Sequence, residues 1–286
     1  MDPSCVQYAL SPDEKGRFER DGYLIVENAL TSKEVDRLLE VTDRVHQQGR
    51  FRLAGDKDMP DRIDHVNFFG MDQAFMDLVD HPRTFPKVWG ILGWNIYCYL
   101  SHIVITPQQA GTYDPDGGPT YRFHQDSGRA TLDMPELEVP ARLSMKVAFF
   151  LTDVSEPGRA NFWVIPGSQT KNAIEFPPGG IGQPEGALPL CVEPGTAVLF
   201  DRRLWHAATP NHWHVPRRFL SYGYGYRWIR TKDEMTIPED MFERADAVRR
   251  QLLGAATAEA ARYGPTVEDM PLRAWLEEHQ PSAVGR

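Results

Sequence analysis

Apolar positions recur along this chain with two different periods, and the switch between them divides it into three stretches. Val35, Leu38, Leu39, Thr42 and Val45 recur at i, i+3, i+4 and i+7, the stripe of an amphipathic helix. Thr31-Ser-Lys-Glu34 ahead of it is a capping-box pattern, and the helix is expected to end near Gly49. Upstream, Ser11 followed by Pro12 opens a shorter helix that Asp21-Gly22 closes. Tyr23 to Val26 reads as a short buried strand. The polar run from Arg52 to His65, interrupted by a proline, predicts a loop, while Gln73 to Val79 and Phe85 to Leu92 predict short helices.

From about Ile96 the texture becomes that of strands. Tyr97 to Ile105 is rich in aromatic and β-branched residues and stops before Pro107. Further strands are expected over 121–124, 142–151, 160–165, 190–192, 196–200, 204–208 and 217–229, with a Gly/Pro-rich loop from Pro177 to Gly186. Helical spacing returns after Pro238 through Phe242, Ala245, Val248, Leu252 and Leu253, with a last helix near 266–279. The pattern predicts a mainly β fold with flanking α-helices, as one domain over residues 1–286. Within it, residues 1–95 are expected to be largely helical, residues 96–230 to form an all-β core and residues 231–286 to form a helical C-terminal tail. Glycine and proline, 23 each, gather between residues 107 and 195, as short strands with many turns require.

Composition narrows the function. The 41% hydrophobic and 25% charged content is that of an ordinary globular chain. Apolar runs such as Val147 to Leu151 fall far short of the roughly 20 residues of a membrane span. The N-terminus has neither the basic nor the apolar segment of a signal peptide, so a cytoplasmic protein with no membrane partner is expected. A net charge of −9 argues against nucleic acid as a partner, because that binding rests on neutralising phosphates. Cys5, Cys98 and Cys191 make neither a disulfide framework nor a paired-cysteine zinc motif.

The chemistry is concentrated in a few residues. In His124-Gln-Asp126 a strand would place the imidazole and the carboxylate on one face. His206, after the strand-like Gly195 to Phe200, is the best third partner, with His212 and His214 as loop-borne competitors. Two histidines and one carboxylate are the ligand set of non-haem Fe(II) oxygenases, which keep open positions for cosubstrate and O2. Eleven residues past His206, Arg217 offers a guanidinium fork that can grip the far carboxylate of a keto diacid. Arg218 would point the other way, so only one of the two can serve. Lys146, Ala148 and Phe150 share a strand face, and if that face is inward Lys146 can pair with a carboxylate.

Taken in order, these motifs resemble the phytanoyl-CoA dioxygenase family of Fe(II)/2-oxoglutarate-dependent oxygenases. The resemblance begins at Phe18-Glu-Arg-Asp-Gly-Tyr-Leu-Ile-Val26 and Leu30-Thr-Ser-Lys-Glu-Val35. It continues through His124-Gln-Asp126, Asn161-Phe-Trp-Val-Ile-Pro-Gly-Ser168, the approach from Gly195 to His206, and Arg217. It implies a double-stranded β-helix, a jelly-roll or cupin-like barrel. His124, Asp126 and His206 would hold Fe(II) and Arg217 the C5 carboxylate of 2-oxoglutarate. With O2, an unactivated C–H of a small molecule would be hydroxylated or otherwise oxidised, with release of succinate and CO2. Halogenating relatives lack the carboxylate that Asp126 provides.

The chain departs from the family pattern in places. Ala208 stands where a serine hydroxyl often binds the cosubstrate, leaving Thr209 as a stand-in. Leu100 lies near the place of a lysine or glutamine, with His102 as a possible substitute, and Gln169 replaces a histidine. Substrate contacts are expected from Phe68, Tyr121, Phe123, Ser127, Arg129, Lys146 and Trp163. A coenzyme A thioester would want a basic channel for its phosphates, whereas the loops near the mouth carry Asp114, Asp116 and Asp133 along with Arg122 and Arg129; the resemblance instead implies a small molecule, a natural-product or secondary-metabolite intermediate. Trp205 and Trp213 are candidates to close a lid. Two other readings stay open: a cupin-type metal enzyme that binds its substrate directly without 2-oxoglutarate, which Ala208 favours and Arg217 opposes, and a non-catalytic binding module. Monomer and homodimer are both compatible with the sequence.

Overall fold

A computed structural model describes residues 1–55, 61–126, 133, 141–231, 234, 236–255 and 269–285. Its strands are β1 (Tyr23–Val26), β2 (Ile63–Val66), β3 (Ile96–Thr106), β4 (Ser144–Phe150), β5 (Phe162–Val164), β6 (Leu188–Leu190), β7 (Ala197–Asp201), β8 (His206–Ala208) and β9 (Arg217–Tyr226). They form a six-stranded sheet in the order β1-β7-β4-β9-β3-β2 and a three-stranded sheet in the order β6-β5-β8. Every pairing is antiparallel. Two facing antiparallel sheets with crossovers between them are the jelly-roll architecture.

Period-two alternation sorts the long strands. Ala148 and Phe150 of β4, Val198 and Phe200 of β7, Phe219 of β9 and Val104 of β3 meet Phe162 and Val164 of β5 between the sheets. The alternate residues Met145, Val147, Phe149, Leu199, Leu220, Tyr222 and Tyr224 pack outward against the helices. Those helices are α1 (Pro12–Asp21), α2 (Ser32–Gln47), α3 (Gln73–Met76), α4 (Phe85–Leu92), α5 (Glu239–Arg244), α6 (Ala247–Leu252) and α7 (Pro271–His279). Capping boxes at Ser11/Glu14 and Thr31/Glu34 set the starts of α1 and α2. The α2 stripe is buried at Val35, Leu38, Thr42 and Val45, as its spacing requires. No helix among the described residues is long and apolar enough to cross a membrane.

Several elements differ from the sequence pattern. The expected loop over Arg52 to His65 ends in β2, which pairs with β3 from Ile63↔Ile105 to Val66↔His102. Its polar residues are held by their partner strand, which no local pattern reveals. The expected strand over 121–124 reduces to one bridge, His124↔His206. The strand expected over 190–192 lies at Leu188–Leu190, and α3 stops at Met76 rather than Val79. Residues 266–268 of the last expected helix lie outside the described residues.

Three glycines shape the interior. On β9 a Cβ at Gly223 would lie 3.0 Å from the Tyr99 ring, and one at Gly225 would lie 3.2 Å from it. The bare inner face of β9 there makes room for Tyr99, which enters at a bulge between Cys98 and Leu100. Gly195 turns the chain into β7 with φ +85°, where a Cβ would meet the Leu30 carbonyl oxygen at 2.8 Å.

Candidate metal centre

Backbone pairing, more than sequence proximity, assembles the site. His124 N–H donates to the His206 carbonyl at 2.9 Å and His206 N–H returns to the His124 carbonyl at 3.0 Å. That bridge sets the two imidazoles side by side, 4.4 Å between ring centroids. Two residues on, Asp126 N–H donates to the Arg202 carbonyl at 2.8 Å, which anchors the same segment to the β7–β8 turn. Asp126 Oδ2 lies 3.9 Å from His206 Nε2. One ligand atom from each of His124, Asp126 and His206 lies within 4.8 Å of the others. No other such group of three occurs among the described residues.

Each donor is prepared for a cation. His206 Nδ1 faces the Leu204 carbonyl at 2.7 Å and His124 Nδ1 faces the Arg122 carbonyl at 3.2 Å. Protons on those Nδ1 atoms leave both Nε2 lone pairs free, the arrangement by which neighbouring groups orient ligand histidines. Burial pushes the His206 imidazole down to about 4, so it is neutral at pH 7. Burial alone would raise Asp126, but Lys146 Nζ at 2.8 Å, aided by the two imidazoles, holds it well below the usual carboxylate range. A neutral imidazole and an ionised carboxylate are the protonation states that a divalent metal needs. This donor set of nitrogen and carboxylate oxygen therefore fits Fe(II).

The same shift carries a stability prediction. Between pH 6.5 and about 4 the unfolded chain takes up a proton at His206 that the native chain refuses. Native stability therefore falls as pH falls through that window, by roughly 3 kcal/mol if this group acts alone. Buried His81, whose pKa burial also lowers, acts in the same direction. Urea midpoints of metal-free protein at pH 7 and pH 4.5 should show the loss, and His206→Gln should shrink it.

Arg217 and Arg218 divide as strand geometry requires. Arg218 faces outward and pairs with Asp43 at 2.6 Å. Arg217 is 4% exposed, its Nη2 donates to Thr106 Oγ1 at 3.0 Å, and its Nε has no hydrogen-bond partner. No carboxylate pairs with it among the described residues. Burial, with Arg62 adding nearby positive charge, pulls its pKa well below the ordinary arginine range. A buried cation with an idle donor is suited to receive an anion.

The remaining expected residues scatter. Lys146 faces inward onto Asp126. His102 also lines the inner strand face but is held by Asp64 at 2.8 Å. The Thr209 hydroxyl donates to the Asn161 carbonyl at 2.9 Å, so the hydroxyl beside Arg217 is that of Thr106. Phe68 packs against Phe75 and Tyr222 on the outer, helix-covered face, and Phe69 is buried in the same core. Tyr121, Phe123 and Trp163 form a separate cluster with Ile165 and Ala207 on the outside of the small sheet. His212 and His214 lie outside the three-ligand group. Trp205 is tied to the Lys171 carbonyl, and Trp213 carries Arg159 stacked 4.2 Å above its ring. Ser127 and Arg129 lie outside the described residues.

Sequence reading missed the neighbours that matter most. Phe162 and Phe200 press on His206 with centroids at 5.0 and 5.3 Å. Trp163 was one residue off: alternation along β5 turns Phe162 inward and Trp163 outward. Thr106, Tyr99 and Arg202 are brought in by strand register and carry no local signature.

Comparison with known proteins supports the same picture. Residues 18–219 match the family model described as Phytanoyl-CoA dioxygenase (PhyH). The chain is similar to dioxygenase trt7 of Aspergillus terreus, 25% identical over 278 residues covering 91% of this chain and 90% of that protein. Among solved structures it resembles SnoK, a non-haem α-ketoglutarate-dependent carbocyclase from nogalamycin biosynthesis. The TM-score is 0.59 at 18% identity, over 76% of this chain and 85% of that one. HygX from Streptomyces hygroscopicus, solved with nickel and 2-oxoglutarate bound, superposes with TM-score 0.59 at 16% identity over 78% and 90% of the two chains. At those identities the two structures establish the fold.

Proposed function

The chain belongs to the phytanoyl-CoA dioxygenase family and is an Fe(II)- and 2-oxoglutarate-dependent dioxygenase, and we propose that it oxidises an unactivated C–H bond of a small organic molecule, an intermediate of secondary metabolism. The observation that carries the reading is the pairing of a His124/Asp126/His206 donor set with a buried Arg217 that no described carboxylate neutralises. His124, Asp126 and His206 hold the metal, and Arg217 with Thr106 holds the far carboxylate of 2-oxoglutarate. Iron, 2-oxoglutarate and O2 together supply the oxidising power, with succinate and CO2 released. The chain's own task is placement and exclusion. Leu204 and Arg122 carbonyls fix the imidazole tautomers, Lys146 keeps Asp126 ionised, and Phe162, Phe200 and Phe219 keep the interior dry. His124, exposed where His206 is buried, marks the side from which a substrate enters.

An anaerobic optical titration tests this directly. Metal-free protein receives Fe(II) and then 2-oxoglutarate, and a weak visible charge-transfer band of the chelated keto acid is expected. Iron binding without a band would overturn the cosubstrate assignment and favour direct coordination of substrate. No iron binding at all would overturn the metal centre.

A further inference from the structure

A second buried cation with idle donors lies beside the metal centre. Arg202, the residue that follows β7, is 2% exposed, and its Nε and Nη2 have no hydrogen-bond partner. Its Nη1 reaches the Asp126 main-chain carbonyl at 3.4 Å, while Lys146 Nζ reaches the Asp126 carboxylate at 2.8 Å. Both cations therefore stand within hydrogen-bond reach of one residue. Tyr99 completes the group: its hydroxyl donates to Ser144 Oγ at 3.3 Å, and its ring lies over Gly223 and Gly225.

Among the described residues no acid side chain hydrogen-bonds to Arg202. Asp201, adjacent in sequence, accepts from Arg142 Nε at 2.8 Å and from Arg203 N–H at 2.8 Å, and Arg142 turns its other two nitrogens to Glu19 at 2.9 and 2.8 Å. Asp64 is engaged by His102. Asp126 is occupied by Lys146, so no described carboxylate reaches the Arg202 fork. A buried charge without a partner is costly and is retained where a ligand supplies the counter-charge. Two idle N–H donors on a planar fork, beside an ammonium, match a monocarboxylate.

This site is separate from that of the cosubstrate. Arg217 pairs in register with Thr106, whereas Lys146 pairs with Gly223, six residues further along β9. At the rise of an extended strand that is roughly 20 Å of backbone.

We propose that the substrate is an organic acid whose carboxylate is gripped by Arg202 and Lys146, with the bond to be oxidised held next to His124, Asp126 and His206. This rests on the dioxygenase reading for its chemistry, but the anion site can be tested without it. Metal-free full-length protein is titrated with benzoate and with its neutral isostere benzamide, followed by ligand-observed NMR. Wild type is expected to prefer benzoate by tenfold or more, Arg202→Met to lose that preference, and Arg202→Lys to keep some of it. Arg217→Met, at the other site, should keep it in full. Equal binding of acid and amide by wild type, a preference that survives in Arg202→Met, or one lost in Arg217→Met would each overturn the proposal. The iron–2-oxoglutarate band is recorded on the same proteins. It should be unchanged in Arg202→Met, and its loss there would make Arg202 a cosubstrate residue and overturn the proposal. Absence of the band from wild type, with the benzoate preference intact, would instead defeat the oxygenase reading and leave the anion site standing.

Discussion

With His206 replaced by alanine, the protein keeps its fold, binds Fe(II) on the order of a hundred- to a thousandfold more weakly, and gives no 2-oxoglutarate band. The magnitude follows from sharing a typical metal-site binding energy of roughly 10–16 kcal/mol among four ligands, about 3 kcal/mol each. His206 is the most enclosed of the three donors, set against Phe162 and Phe200 and fixed through Nδ1 to Leu204. Its loss therefore removes the one donor whose direction the surrounding core determines. Packing is separated from ligation by His206→Gln, which fills most of the volume and should lose the band equally. Far-UV circular dichroism checks the fold, and equilibrium competition with a chromophoric chelator reads the affinity. Retention of wild-type affinity by both variants would remove His206 from the centre and reopen the assignment to His212 and His214.

The contrast between what sequence reveals and what it hides runs along the same strands. Capping boxes and the α2 stripe are local signals, with both partners within four residues, and they appear where the pattern places them. The histidines and Asp126 were legible because HxD spacing and a later histidine are a chemical pattern as well as a positional one. What surrounds them was not. Trp163 and Phe162 are equally plausible wall residues until a one-residue phase is set by the pairing of Val164 with His206. β2 has only four residues, with polar Asp64 and His65 between Ile63 and Val66, and takes its extended form from β3. Phe68 sits in a stretch with no periodicity, so nothing in the sequence told its outward packing from an inward one. Arg202 and Arg203 look identical on paper. The second is tied to the Gln169 carbonyl and Asn172, while two of the first's nitrogens are left bare.

Arg217→Met is expected to move stability and cosubstrate affinity in opposite directions. In the ligand-free protein the guanidinium is buried, with one hydrogen bond to Thr106 and no described carboxylate beside it, so it costs the native state free energy. Methionine fills similar space without a charge, and replacing such a cation by an apolar side chain is neutral to stabilising. The metal-free variant should therefore melt at or above the wild-type temperature. In the complex the same residue supplies the counter-charge, and its loss strands a carboxylate in a dry pocket, at a cost of about 2–5 kcal/mol. That corresponds to roughly thirty- to several-thousandfold weaker binding of 2-oxoglutarate. Wild type saturated at a hundred times its Kd gains about 2.7 kcal/mol of stability from the cosubstrate, and at the same concentration the variant should gain less than about 1 kcal/mol. Arg217→Lys should recover some of it, since the charge returns without the fork. Differential scanning fluorimetry with and without 2-oxoglutarate reads both effects in one experiment. A variant that melts lower than wild type without ligand yet is still stabilised normally by 2-oxoglutarate would show that Arg217 serves the fold and that the cosubstrate's far carboxylate is held by other residues.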